Sequence, residues 1–256
     1  MVFFHNINPV LLDLGLFEVR WYGLMYVLAF LFVWWYVKKS VAEKKIKLSD
    51  EQIDSFLTWL TIALIVGARL FAVLFWDFDY YSQHPLEIFA FWKGGLSFHG
   101  GLFAMLLTTV WLCKKHEIRL LNLADIFIVP LALGQMFGRI GNFINGELYG
   151  VATSLPWGVN FHNEINVVGN FVFRHPNQLY EASYDLFIFA VLWPLKDKKI
   201  KDGFLFGLFL VMYAVFRTLT EFIRAPEGMF GPLTISQVLN IPMFIAGLWL
   251  LWKSLK

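Results

Sequence analysis

Charge is scarce in this chain. Only 16% of its 256 residues are Asp, Glu, Lys or Arg, against 58% hydrophobic and 19% aromatic, whereas an average globular chain is about a quarter charged. The mean hydropathy is +0.60. That balance excludes most water-soluble folds and points to an integral membrane protein with helix-length apolar segments. Cysteine is nearly absent: the single Cys113 excludes an internal disulfide, and its place before Lys114 makes it inert filler. His5, His84, His116 and His162 show no ligand spacing, so no metal site is expected. Neither Gly-x-Ser-x-Gly nor His-Glu-x-x-His occurs, which argues against an intramembrane protease or acyltransferase of those types. Met1–Phe17 lacks a basic n-region and a small-residue cleavage site. It reads as an interfacial lead-in, not a signal peptide.

What is present is a set of long apolar runs. A spanning helix needs roughly 20 mostly apolar residues. Seven segments qualify: Val19–Val37, Ile53–Trp76, Leu96–Cys113, Leu121–Phe137, Leu179–Leu195, Phe204–Ile223 and Leu233–Trp252. The fourth is short and is expected to continue helically into the glycine-rich segment that follows. Lysines flank alternate ends: Lys38, Lys39, Lys44, Lys45 and Lys47; then Lys114 and Lys115 with Arg119; then Lys196, Lys198, Lys199 and Lys201; then Lys253 and Lys256. All four clusters fall on one side, which the positive-inside rule makes cytoplasmic. The expectation is an all-α integral membrane protein of seven transmembrane helices, N-terminus outside and C-terminus cytoplasmic. Residues 1–256 form a single membrane domain. A small extracytoplasmic head is inserted over 151–178, where Trp157–Phe161 and Asn170–Arg174 are able to pair as a hairpin.

The remaining basic residues are Arg20, Arg69, Lys93, Arg139, Arg174, Arg217 and Arg224. All but one are arginine, whose planar fork suits phosphate and carboxylate. Lysine sets the topology; arginine is placed where chemistry would be. Several polar residues share one layer in the outer half of the spans. Tyr26 lies roughly 10 Å into the first span. Arg69 lies in the second, His99 opens the third within Gly94–Gly101, and Arg139 and Asn142 end the fourth. Tyr213, Arg217, Glu221 and Arg224 climb the sixth, within about 80° of one another around the helix. Gln135, Arg139 and Asn142 share a face, beside a glycine face of Gly134, Gly138 and Gly141 that permits close helix approach. Taken singly, these residues have ordinary structural uses: an Arg217–Glu221 or Glu221–Arg224 ion pair, glycine packing, a hydrogen-bonded histidine. Together, Arg69, Arg139, Arg217 and Arg224 against Glu147 and Glu221 leave excess positive charge within the hydrocarbon. Buried cations demand a partner, and a phospholipid head group is the anion at that depth.

The run Gly138-Arg139-Ile140-Gly141-Asn142-Phe143-Ile144-Asn145-Gly146-Glu147-Leu148-Tyr149-Gly150 resembles the signature of the bacterial prolipoprotein diacylglyceryl transferases. Asn6–Pro9, Arg20–Tyr26, Gly94–Gly101, His175–Glu181 and the Tyr213, Arg217, Glu221, Arg224 stripe are similar to that family in the same order, over nearly the whole chain. The resemblance implies a reaction: the diacylglyceryl group of phosphatidylglycerol passes to the lipobox cysteine thiol of a prolipoprotein signal peptide, a thioether forms, and glycerol phosphate leaves. It implies a multi-pass enzyme of the bacterial inner membrane, no cofactor, no metal and no nucleic acid. Tyr26, His99, Arg139, Asn142, Glu147, Gly150 and Arg217 match positions tied to function in the family.

A mechanism consistent with these residues follows. The nucleophile belongs to the substrate, so the protein must promote thiolate formation and stabilise a departing phosphate. His99 would accept the thiol proton or orient its acceptor. Arg139 and Arg217 would clamp the phosphate. Asn142 and Glu147 would position glycerol hydroxyls or an arginine, Gly150 would give clearance at the mouth, and Arg69, Tyr213, Glu221 and Arg224 would complete the binding site. The alternative is a phospholipid or anion transporter using the same arginines. No internal repeat and no broken-helix pair is evident in its favour.

Overall fold

The computed structural model describes residues 3–15, 18–43, 45–46, 48–90, 94–225 and 228–256; the side chains of Phe98, His99 and Phe230 lie outside the described residues, as do Phe17, Lys44, Lys47 and Lys93. Each of the seven apolar segments is helical. They are α1 (Trp21–Ala42), α2 (Asp50–Phe75), α4 (Phe98–Lys115), α5 (Leu120–Asn145), α6 (Asn177–Leu195), α7 (Phe204–Glu221) and α8 (Ile235–Leu255), with a short α3 (Phe78–Gln83) after α2. Among the described residues, five of these, α1, α2, α5, α7 and α8, are long and apolar enough to cross a membrane. The chain is a multi-pass integral membrane protein. α6 opens with Asn177 and Gln178 and carries Glu181 and Asp185, which lowers its hydropathy.

Helix boundaries follow local chemistry. Ser49 and Gln52 form a capping box at α2, and Thr234 and Gln237 form one at α8, each satisfying two otherwise orphaned backbone N–H groups. α5 runs past Phe137 through the glycine-rich segment to Asn145, the extension anticipated from the sequence. It stops at Gly146, whose φ of +70° is left-handed, a conformation that costs glycine nothing.

The chain forms two compact units, Lys38–Leu123 and the remainder, Met1–Val37 with Ala124–Lys256. In the smaller unit α2 packs on α4, with Gly67 and Gly100 face to face and Gly101 against Leu64. In the larger unit α7 and α8 cross where Gly207 meets Gly247, and α1 meets α5 at Gly141, whose missing Cβ would lie 2.9 Å from the Tyr22 ring. Asp125 of α5 caps α7, accepting from the backbone N–H groups of Gly203 at 2.7 Å and Phe206 at 2.8 Å.

The larger unit also carries short strands. β1 (Phe3–His5) runs parallel to β4 (Val159–Phe161), and β2 (Val10–Asp13) pairs with β3 (Glu18–Arg20). β5 (Met229–Phe230) pairs with β6 (Leu233–Thr234) just before α8. The lead-in thus contributes two strands, Phe3–His5 and Val10–Asp13. In the segment between α5 and α6, Val159 and Arg174 exchange backbone hydrogen bonds at 3.0 and 2.8 Å, so the two runs expected to form a hairpin do pair.

Candidate active site

Glu181, on the second turn of α6, is the centre of the polar cluster in the larger unit. It is only 1% exposed. Its Oε2 lies 2.7 Å from Nε of Arg139 on α5, and its Oε1 lies 3.0 Å from Nη1 of Arg224 and 3.8 Å from Nη1 of Arg217. Asn177, one turn earlier on α6, donates to the same Oε1 at 3.0 Å. Three helices and the segment after α7 thus converge on one carboxylate.

The arginines are not equally engaged. Arg217 donates to Glu221 through Nη1, the i+4 pair anticipated from the sequence, and to Ser236 Oγ through Nη2 at 3.0 Å. Arg139 is held only through Nε; its two Nη groups donate to nothing among the described residues, and its side chain is 22% exposed. Beside it, a Cβ at Gly138 would meet no atom within 4 Å. The glycine face therefore divides: Gly134 and Gly141 pack against α1, while Gly138 faces open space. Tyr213 stacks on Phe209 and meets the Tyr184 ring edge-on at 6.0 Å. Tyr184, Tyr213 and Asp185 all lie within electrostatic reach of Arg139.

A second network ends α5. Asn142 and Asn145 both donate to Oε1 of Glu147, at 2.9 and 3.2 Å, and Gln178 holds the Glu147 carbonyl. The Tyr22 hydroxyl lies close to Asn142 and shares a 2.9 Å hydrogen bond with the exposed Tyr26 hydroxyl. Glu147 is thus tied to asparagines, not arginines, and its exposed carboxylate remains able to accept further donors.

Gly150 is a point of close backbone approach. A Cβ there would collide with the Ile223 carbonyl and lie 2.7 Å from the His175 Cβ. Its N–H donates to the His175 carbonyl at 2.9 Å, and its backbone forms an antiparallel bridge with Arg224. The missing side chain gives clearance to the protein's own backbone, which fastens the end of the signature segment to the end of α7. In the loop before α6, Arg174 grips Glu164 through two 2.6 Å hydrogen bonds. That contact holds the Glu164 carboxyl below its ordinary range, and burial lowers the His175 imidazole.

Two expected site residues belong to the smaller unit. Arg69 is buried and donates to the carbonyls of Ala90, Gly94 and Gly95 and to the Tyr81 hydroxyl, so it ties down the loop that precedes α4. His99 lies in the first turn of α4, after the N-cap Ser97; its side chain lies outside the described residues. The sequence reading counted Glu147 and Glu221 as the only counter-charges and missed Glu181. The signal was present: an Asn-Gln-Leu-Tyr-Glu run at the start of an otherwise apolar helix, with polar groups at i and i+4.

A family model described as prolipoprotein diacylglyceryl transferase matches residues 9–253. Three relatives carry the name phosphatidylglycerol–prolipoprotein diacylglyceryl transferase. That of Nitratidesulfovibrio vulgaris (strain DP4) is 40% identical, covering 98% of this chain and 96% of the relative. That of Geobacter sulfurreducens is 40% identical over 96% and 94%, and that of Legionella pneumophila (strain Corby) 37% over 99% and 100%. With a family model matching residues 9–253 and relatives about 40% identical over nearly their whole length, the chain belongs to the prolipoprotein diacylglyceryl transferase family.

Proposed function

We propose that this chain transfers the diacylglyceryl group of phosphatidylglycerol to the lipobox cysteine thiol of a prolipoprotein, forming a thioether and releasing glycerol phosphate. The observation that carries the reading is Arg139. Its Nε is held by Glu181 and its side chain is partly exposed, its two Nη groups donate to nothing among the described residues, and a Cβ at the adjacent Gly138 would meet no atom within 4 Å. A guanidinium oriented from behind and open in front is suited to bidentate contact with a phosphate. Charge gathers on the leaving phosphate as the carbon–oxygen bond breaks, so this contact strengthens in the transition state and accelerates the reaction.

The other roles follow from the same reading. Arg217 adds positive charge beside the phosphate while Glu221 and Ser236 hold it in line. Asn142 and Glu147 receive the glycerol hydroxyls of the head group, with Tyr26 and Tyr22 extending that network. Tyr213, Arg224 and Gly150 support the pocket wall. In this reading His99 takes the thiol proton or orients its acceptor, and Arg69 has a supporting place. The reaction balances without a cofactor. Seven spans are inferred, with lysine-rich ends in the cytoplasm of a bacterial inner membrane, an extracytoplasmic head at 151–178 and chemistry in the outer half of the bilayer.

The test is reconstitution. Purified protein in phosphatidylglycerol vesicles, given a lipobox peptide, is expected to release glycerol phosphate and add one diacylglyceryl mass to the peptide. Phospholipid movement across the vesicle without any covalent product would refute the transfer and favour transport.

A further inference from the structure

One helical turn farther from the 151–178 segment than the arginine layer lies a second polar layer, of which the roles above use only Tyr213. Asp185 is the i+4 neighbour of Glu181 on α6, Tyr213 is the i−4 neighbour of Arg217 on α7, and Gln135 is the i−4 neighbour of Arg139 on α5, so each sits about 6 Å along its helix from the arginine cluster. Asp185 is 1% exposed, and neither of its carboxylate oxygens has a hydrogen-bond partner among the described residues. The neighbouring Tyr184 hydroxyl and the Gln135 Oε1 are buried without partners as well. The titratable groups around Asp185 are Glu181 and Tyr184 on its own helix, Arg139 on α5 and Tyr213 on α7. Buried polar groups are nearly always satisfied, so each exception calls for an explanation. Burying a carboxylate with no partner is among the more costly exceptions, and a ligand that brings a donor would remove the cost.

We infer that Asp185 is the group that accepts the thiol proton of the incoming cysteine. The inference rests on the transfer reaction proposed above. Displacement at a saturated carbon is in line: the sulfur must approach from the side opposite the departing oxygen. With the phosphate held at the open Nη groups of Arg139, the reacting carbon and the sulfur lie on the far side of it, towards the acyl chains. Reacting atoms come within about 3 to 3.5 Å of one another, so the sulfur stands about one helical turn from the phosphate, at the level of Asp185. The proton passes from sulfur to an Asp185 oxygen, and a sulfur electron pair forms the new carbon–sulfur bond. The carbon–oxygen bond breaks, with its pair left on the phosphate oxygen of glycerol phosphate. The proton then leaves with the product or to water. His99 is left the orienting role.

Asp185→Asn, nearly isosteric, separates this role from packing. With a cysteine lipobox peptide its kcat is expected to fall by about a hundredfold or more, the usual worth of a general base, while KM for phosphatidylglycerol stays unchanged. A selenocysteine peptide, whose selenol is already ionised at neutral pH, should restore turnover in the variant to within about tenfold of the wild type. Asp185→Glu, which keeps a carboxylate on the same helix face, should retain activity with the cysteine peptide and decides the matter if the Asn variant does not fold. Wild-type turnover by Asp185→Asn, equal loss with both peptides, or a folded Asp185→Glu as inactive as Asp185→Asn would each overturn the inference. Wild-type protein that makes no thioether at all would instead overturn the transfer reading.

Discussion

The Nε of Arg139 lies 2.7 Å from Oε2 of Glu181, joining α5 to α6 through a carboxylate that solvent does not reach. Arg217 and Arg224 approach the other oxygen of the same group. Removing the charge from Glu181 would therefore affect three guanidinium groups at once. Breaking a buried ion pair by deleting one partner typically costs about 3 to 5 kcal/mol. Glu181→Gln is expected to lower the melting temperature of the purified protein strongly and abolish transfer. Glu147→Gln, which alters an exposed carboxylate held by asparagines, should leave the melting temperature nearly unchanged. Thermal melts in detergent compare the two directly.

Arg139→Lys tests the fork itself. Lysine keeps the positive charge but offers a point charge in place of a planar pair of donors. The variant should fold, because Glu181 retains Arg217 and Arg224, yet lose most activity, about 100-fold or more, as expected on loss of an oxyanion-type contact. Initial rates on phosphatidylglycerol vesicles measure this. Full activity would exclude bidentate phosphate binding.

The legible and illegible parts of this molecule divide along a physical line. Helices and stripes were visible because they depend on spacing along one segment. The seven apolar runs, the extension of α5 and the Arg217–Glu221 pair at i+4 all come from local periodicity. Partners that meet across helices leave no such trace. The hydrogen bond from Arg224 to Glu181 joins residues 43 positions apart. Gly150 carries the same lesson: a glycine in a polar signature suggests backbone clearance, and only the fold reveals that Ile223 and His175 are what it clears. Asp185 escaped notice because a lone carboxylate in an apolar helix has no spacing signature; its lack of partners among the described residues is a property of the packed state.

Acid should loosen the loop before α6. The Glu164 carboxyl is held below its ordinary range first by the hydrogen bonds from Arg174. A depressed carboxyl contributes its stability fully above the unfolded value and loses it as pH falls through the folded one. Local stability around Asn160 and Val172 is therefore expected to fall as pH drops below the ordinary glutamate range. The effect should be about 1 kcal/mol or less, because the pair is partly exposed and screened. Amide hydrogen exchange in that loop, followed against pH, should reveal the loss in wild type and a flat profile in Glu164→Gln. An identical acid profile in the two proteins would remove the ion pair from the account.

Two glycines of one signature should respond oppositely to the same methyl group. At Gly150 a Cβ has nowhere to go: the Ile223 carbonyl and His175 belong to backbone that is itself hydrogen-bonded, at 2.9 Å from Val151 N–H to Ile223 and from Gly150 N–H to His175. Gly150→Ala must displace that bridge, and with it the backbone of Arg224, so overpacking of about 1 to 3 kcal/mol is expected. At Gly138 the methyl meets nothing within 4 Å and the residue lies inside α5, where alanine is favoured over glycine by about 1 kcal/mol. Gly138→Ala should therefore be as stable as wild type or more so. If the space beside Arg139 admits the lipid, however, that same methyl intrudes on it, and KM for phosphatidylglycerol should rise in Gly138→Ala. A stable Gly138→Ala protein with unchanged KM would mean that the lipid does not occupy the space beside Gly138.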